Sequence, residues 1–239
     1  MIQFRRQFDP HQIKLLIFDL DGTLIDSRLD LIHSVNAMLK HLGRPELPGD
    51  VIASYVGDGA PMLIRRALGD PRDERLIKDG LDHFLAYYRI HKLDHTHLYG
   101  GIKEMLTTIR NSNGIPRQMA VLSNKPVNPS RLIVEALGLA EFFVHIYGGN
   151  SFSTKKPDPH GLQSLIAEAS AIAGNSISPS ETIMIGDTDV DVLTARSCGA
   201  RSIGCAFGLK PHSLVDAPPD HLAHSPTDWL QILSIDRKQ

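Results

Sequence analysis

IFDLDGTLIDS, residues Ile17 to Ser27, sets two acids, Asp19 and Asp21, directly behind the apolar run Leu15-Leu16-Ile17-Phe18. Four successive apolar residues without polar alternation read as a strand buried on both faces, as in a parallel sheet covered by helices on each side. The acids then stand at the strand's C-terminal rim, where open parallel sheets bind their ligands. A lone aspartate there is ordinarily a turn former or a helix cap. Two acids at this spacing call for chemistry to be weighed against that reading.

Working outward, similar short runs recur at helix-length intervals: QMAVLSN near residue 121, FFVHIYGG near 145, ETIMIGD near 184 and RSIGCAFG near 204. Strands alternating with helices predict an α/β fold, a Rossmann-like doubly wound parallel sheet. The alternation lapses after Ser27. Three helical patterns follow (SRLDLIHSVNAMLKHLG, APMLIRRALG and ERLIKDGLDHFLAYYRIHKL), broken by Pro- and Gly-rich turns at Arg44–Asp50 and Gly69–Arg72. The expected organisation is a core of residues 1–26 and 94–239 with an all-helical insertion at 27–93.

The bulk numbers narrow the class of function. The 239 residues, 42% of them hydrophobic, suffice for a large self-supporting core. A formal charge of −2 with dispersed lysines and arginines leaves no basic face for nucleic acid. No window approaches a membrane span, and the N-terminus has no apolar signal region. Cys198 and Cys205 are too few for a disulfide framework and read as reduced thiols. The expectation is a cytoplasmic protein, a monomer or homodimer, acting on a small molecule without a nucleic-acid or membrane partner.

The strand ends carry the chemistry. GDTDVD, Gly186 to Asp191, brings Asp187 and Asp191 to the same rim as Asp19 and Asp21. Two like charges about 4 Å apart repel by roughly 4 kcal/mol at an effective dielectric near 20. Converging carboxylates therefore need a cation or a proton between them, and a hard oxygen-seeking ion, Mg2+ by preference, is the simplest answer. Ser123 and Asn124 in VLSNK offer a hydroxyl and an amide, and Lys155 and Lys156 in KKPDP offer positive charge. Donors, a cation and a divalent ion together match the charge spread over a transferring phosphoryl group.

DLDGT at Asp19–Thr23, the Ser123-Asn124 strand end, Lys156-Pro157-Asp158-Pro159, and Gly186-Asp187-Thr188 with Asp191 resemble, in order, the four motifs of the haloacid dehalogenase superfamily. The helical insertion straight after the first motif resembles its C1-capped subgroup. The resemblance implies that Asp19 is the nucleophile forming an aspartyl-phosphate and Asp21 the general acid and base. It further implies that Asp19, Asp21 (through its backbone carbonyl) and Asp187 ligate Mg2+, with Asp191 orienting Lys156 or a metal-bound water. Ser123, Asn124, Gly22 and Thr23 would hold the phosphate, and Lys156 rather than Lys155 would neutralise the transferring group.

An acid two residues after the nucleophile suits release of an alcohol, so phosphate-ester hydrolysis is the implied reaction. YVGDGAPMLIRRALG, Tyr55 to Gly69, is similar to the VGNGAxxLxxRAL segment of bacterial phosphoglycolate phosphatases, with Asp58 in place of Asn. The expected substrate is thus a small phosphorylated metabolite of the 2-phosphoglycolate kind, with Gly57, Asp58 and Gly59 approaching it and Arg66 facing its carboxylate. The competing readings are a turn followed by a solvated arginine, a sugar-phosphate mutase of the β-phosphoglucomutase type, a receiver-like domain and an inactive binding domain. HKLDHTH at 91–97 reads as an exposed return from insertion to core, with metal ligation as the alternative.

Overall fold

Alternate side chains of the first strand enter two different cores, because successive Cβ atoms of a strand point to opposite faces. In β1 (Leu15–Phe18) every residue is buried. Leu16 and Phe18 join one apolar cluster, and Leu15 and Ile17 join another. The computed structural model describes residues 7–112 and 116–235.

Beside β1 lie β4 (Gln118–Leu122) and β6 (Thr182–Gly186), both parallel to it, with Phe18 in register with Val121 and Ile185. With β5 (Ile146–Tyr147), β7 (Arg201–Cys205) and β8 (His221–Ala223) they form a six-stranded parallel sheet in the order β5-β4-β1-β6-β7-β8. Helices α5 (Ile102–Arg110), α6 (Val127–Ala136) and α9 (Asp228–Ile232) pack on the face of Leu16 and Phe18. Helices α7 (His160–Ala173) and α8 (Asp189–Cys198) cover the face of Leu15 and Ile17. The sheet is thus doubly wound, as expected, and each strand run named from the sequence contains one of its strands.

Between β1 and this remainder the chain forms α1 (Arg28–His41), α2 (Gly49–Ser54), α3 (Ala60–Ala67) and α4 (Glu74–His91). Leu31, Val35, Met38 and Leu39 follow the helical i, i+4 spacing and meet Leu63, Ile64, Phe84 and Tyr88 in an apolar cluster separate from the two that cover the sheet. Short strands β2 (Ile25–Asp26) and β3 (His97–Leu98) pair antiparallel where the chain leaves for these helices and returns from them.

Three features were not anticipated. A two-residue ribbon such as β2–β3 is too short to display a period, and edge strand β8 is three residues following Pro218-Pro219-Asp220. Helix α2 begins within the stretch read as a turn, because Pro48 stands at its N-cap, where a missing N–H costs nothing. Cys198 and Cys205 are free thiols. Among the described residues no helix is long and apolar enough to cross a membrane.

Candidate active site

Since β4, β1 and β6 are adjacent and point the same way, the residues that follow them emerge together at one edge of the sheet. Asp19 follows β1, Ser123 follows β4 and Asp187 follows β6. Asp19 is 7% exposed; its backbone N–H donates to Ile185 O at 2.8 Å, and its Oδ1 accepts from Leu20 N at 2.7 Å.

Behind Asp19 lies Lys156, whose Nζ stands 3.0 Å from Asp19 Oδ1 and 2.6 Å from Asp191 Oδ1. The other oxygen of Asp191 accepts from Thr188 N at 3.1 Å and Thr188 Oγ1 at 2.8 Å, closing the capping box of α8. Asp191 therefore holds Lys156 against Asp19. Lys155 turns the other way and donates to the backbone carbonyl of Asp58.

Burial raises the Asp19 carboxyl to about 6; Lys156 offsets this in part, while Asp191 and Asp21 add to it. Burial, then Asp191 and Asp19, holds Asp187 well above the usual carboxylate range, despite donation to its Oδ2 from Leu209 N at 2.8 Å and Lys210 N at 3.0 Å. Burial would depress the Lys156 ammonium, but Asp19 and Asp191 outweigh it and keep the amine charged.

A divalent ion fits this donor set. Asp19, Asp187 and Asp191 are all buried and offer oxygens within 4.8 Å of one another. Asp187 Oδ1 is buried without a hydrogen-bond partner, a costly state unless a cation meets it. The Asp21 side chain stands outside this cluster: its Oδ1 accepts from Ser27 Oγ at 2.5 Å, and Lys125 Nζ reaches its two oxygens at 2.8 and 3.0 Å.

A cavity lies between the sheet edge and the four helices. Asp19, Asp21, Ser123, Asn124 and Asp187 line it from the sheet side; Gly57, Gly59 and Tyr88 line it from the helices. Asn124 joins the two sides, since its Nδ2 donates to Gly57 O and to Lys156 O, both at 3.0 Å.

Four residues expected to contact substrate stand elsewhere. Arg66 donates to Asp58 Oδ2 at 2.6 Å and to Tyr55 O at 3.1 Å, and neither Arg66 nor Asp58 lines the cavity. An aspartate where the similar segment has asparagine supplies a charge partner, and the guanidinium turns to it. Thr23 is fully buried beneath the loop and does not line the cavity. Gly22, with φ of 81°, lies against Asp187, not along the cavity.

Lys125 is the principal residue that sequence reasoning missed. It is 7% exposed, lines the cavity, and stands 4.6 Å over the ring of Tyr88 from α4. Burial opposes its charge, but Asp21 and Tyr88 hold it above the ordinary lysine range. Its signal was its place directly after Ser123-Asn124 at a strand end. The backbone donors of Leu209 and Lys210 had no signal, because any residue supplies an N–H.

The sequence pattern of the haloacid dehalogenase-like hydrolases matches residues 16–205. The chain is 33% identical over 230 residues to a phosphoglycolate phosphatase of Vibrio parahaemolyticus, covering 93% of this chain and 97% of that one. It is 36% identical over 209 residues to a phosphoglycolate phosphatase of Chromobacterium violaceum, covering 86% and 90%. A crystal structure described as a predicted phosphoglycolate phosphatase from Haemophilus somnus superposes with a TM-score of 0.82 at 29% identity, covering 92% of this chain and 98% of that one. By its motifs in order, its doubly wound sheet and this match over most of its length, the chain belongs to the haloacid dehalogenase-like hydrolase family.

Proposed function

We propose that this hydrolase cleaves a small phosphate monoester, 2-phosphoglycolate or a close relative, through an aspartyl-phosphate on Asp19. The observation that carries the reading is the Asp19 carboxylate at the cavity wall, backed by Lys156 at 3.0 Å, with Asp21 two residues on and also facing the cavity. The phosphoglycolate phosphatase relatives support the substrate class. Lys125 and Lys210, which line the cavity, suit a small anion.

In the first step an Asp19 oxygen attacks phosphorus, the bond from phosphorus to the alkoxide oxygen breaks, and Asp21 delivers a proton to that oxygen. In the second, Asp21 takes a proton from water, the hydroxide attacks phosphorus, and the Asp19–phosphorus bond breaks. Lys125 beside Asp21 stabilises its ionised form between the two steps, and Ser27 Oγ fixes its orientation. Lys156 offsets charge on Asp19 and the phosphoryl oxygens, while Ser123 and the backbone at Asn124 hold the phosphate. Mg2+, held by Asp19, Asp187 and the backbone carbonyl of Asp21, with Asp191 behind them, would supply charge neutralisation at the phosphoryl group.

Residues 27–93 act as a cap over a core of 1–26 and 94–239, and the Asn124–Gly57 hydrogen bond joins the two sides of the cavity. The test is phosphate release from 2-phosphoglycolate and a panel of small phosphate esters with Mg2+ or EDTA. The expected result is EDTA-sensitive turnover that Asp19→Asn abolishes without unfolding the protein. Absence of turnover across the panel would sink the enzyme reading, and substantial activity in Asp19→Asn would move the nucleophile elsewhere.

A further inference from the structure

The histidine-rich return from the helices, HKLDHTH at 91–97, takes no part in this chemistry. Its middle is pinned to the first turn of α1. Asp30, 1% exposed, accepts from His95 N at 3.0 Å on Oδ1, and from Thr96 N at 2.8 Å and Thr96 Oγ1 at 2.7 Å on Oδ2. His33 is three residues further along α1, so it shares a face with Asp30. Its exposed ring meets the exposed His95 ring edge to face, with centroids 5.2 Å apart. Asp30, His33 and His95 each offer a ligand atom within 4.8 Å of the others.

We propose that Asp30, His33 and His95 form a second metal site, where the chain passes between the helices and the sheet, selective for a borderline divalent transition ion of the Zn2+ class. Two imidazoles with one carboxylate suit such an ion, whereas Mg2+ seeks oxygen ligands and keeps its waters. The two sites therefore sort ions by hardness: oxygens only beside Asp19, nitrogens and an oxygen here.

The hydrogen bonds on Asp30 orient the carboxylate as outer partners do in metal sites. A carboxylate has about four acceptor positions, and among the described residues Oδ1 accepts only from His95 N, which it shares with Oδ2 at 3.2 Å, so Oδ1 is left able to take an ion. Because β2 and β3 pair Ile25 with Leu98 next to this cluster in sequence, an ion joining α1 to residue 95 clamps the outgoing and returning segments together. The proposal does not depend on the phosphatase reading.

The experiment is isothermal titration of the full chain with Zn2+ in excess Mg2+, repeated with Co2+ to read the visible absorption of a nitrogen-ligated ion. One equivalent should bind, and His33→Ala and His95→Ala should each weaken it by at least about tenfold. His83→Ala, at the stacked His41–His83 pair, should leave it unchanged. Amide exchange over residues 94–98 should slow with Zn2+ in the wild type and not in His33→Ala. His33 and His95 are exposed, so these variants keep the fold, which circular dichroism checks. A titration unaltered by either substitution, or abolished by Asp187→Asn, would overturn the assignment.

Discussion

A Cβ placed on Gly22 would stand 2.2 Å from Asp187 Oδ2, so the backbone of the loop after the first strand lies directly against the carboxylate side chain after the sixth. The glycine in DLDGT is thereby tied to another motif more than 160 residues away, a link that explains the residue better than the bend alone. Its φ of 81° adds a second constraint, since side chains strain the backbone there.

Gly22→Ala should consequently lower stability by about 1 kcal/mol or more through the backbone, and displace Asp187 as well. Urea unfolding measures the first effect. Calorimetric Mg2+ titration measures the second, expected as at least about a tenfold loss of affinity; unchanged affinity would dissociate Gly22 from metal binding.

Lys125→Met should break a nearly buried ion pair and leave Asp21 with Ser27 as its remaining side-chain donor. Removing one partner of such a pair costs on the order of 3 kcal/mol. The fall in kcat should exceed any change in KM, because Asp21 is assigned to proton transfer. Steady-state kinetics beside denaturant unfolding checks both, and an unaltered kcat would remove Lys125 from the catalytic assignment.

The metal-free protein should lose stability as pH rises through the window set by Asp19. Its folded carboxyl sits at about 6, raised by burial, whereas an unfolded aspartate titrates near 3.9. Between these values the native state keeps a proton that the unfolded chain has released, so the Asp19 contribution falls from about pH 4 to about pH 6 and then levels. Asp187, also raised, acts in the same direction. Glu181 acts oppositely, its carboxyl lowered to about 2 chiefly by Lys14, so its contribution still rises at the acid end of this window and is complete above about pH 5. Mg2+ requires ionised ligands, so the Tm difference between Mg2+ and EDTA should widen from pH 4 to pH 7. A constant difference would contradict the assignment of these carboxylates as ligands.

Arg66→Ala should alter KM for 2-phosphoglycolate and for p-nitrophenyl phosphate equally, within about twofold, because Arg66 is turned to Asp58 and away from the cavity. The half-exposed pair itself should contribute no more than about 1 kcal/mol. A selective loss for the carboxylate substrate would restore the recognition role that the sequence suggested.

Local pattern determined the sheet and its chemical edge. Apolar runs at helix-length intervals specify strands buried on both faces, and polar residues placed after them must emerge at one rim, so Asp19, Ser123 and Asp187 could be grouped from spacing alone. The helical insertion was equally legible, because i, i+4 periodicity such as Leu31, Val35 and Leu39 is a property of a single segment. Tertiary structure decided what each side chain faces. Asp58 drew Arg66 away from the cavity, Lys125 found Asp21 across 104 residues of sequence, and backbone N–H groups of Leu209 and Lys210 came to hold Asp187. These choices rest on charge pairing and hydrogen bonding between segments distant in the chain. Such energies depend on separation in space, which periodicity along the sequence does not encode.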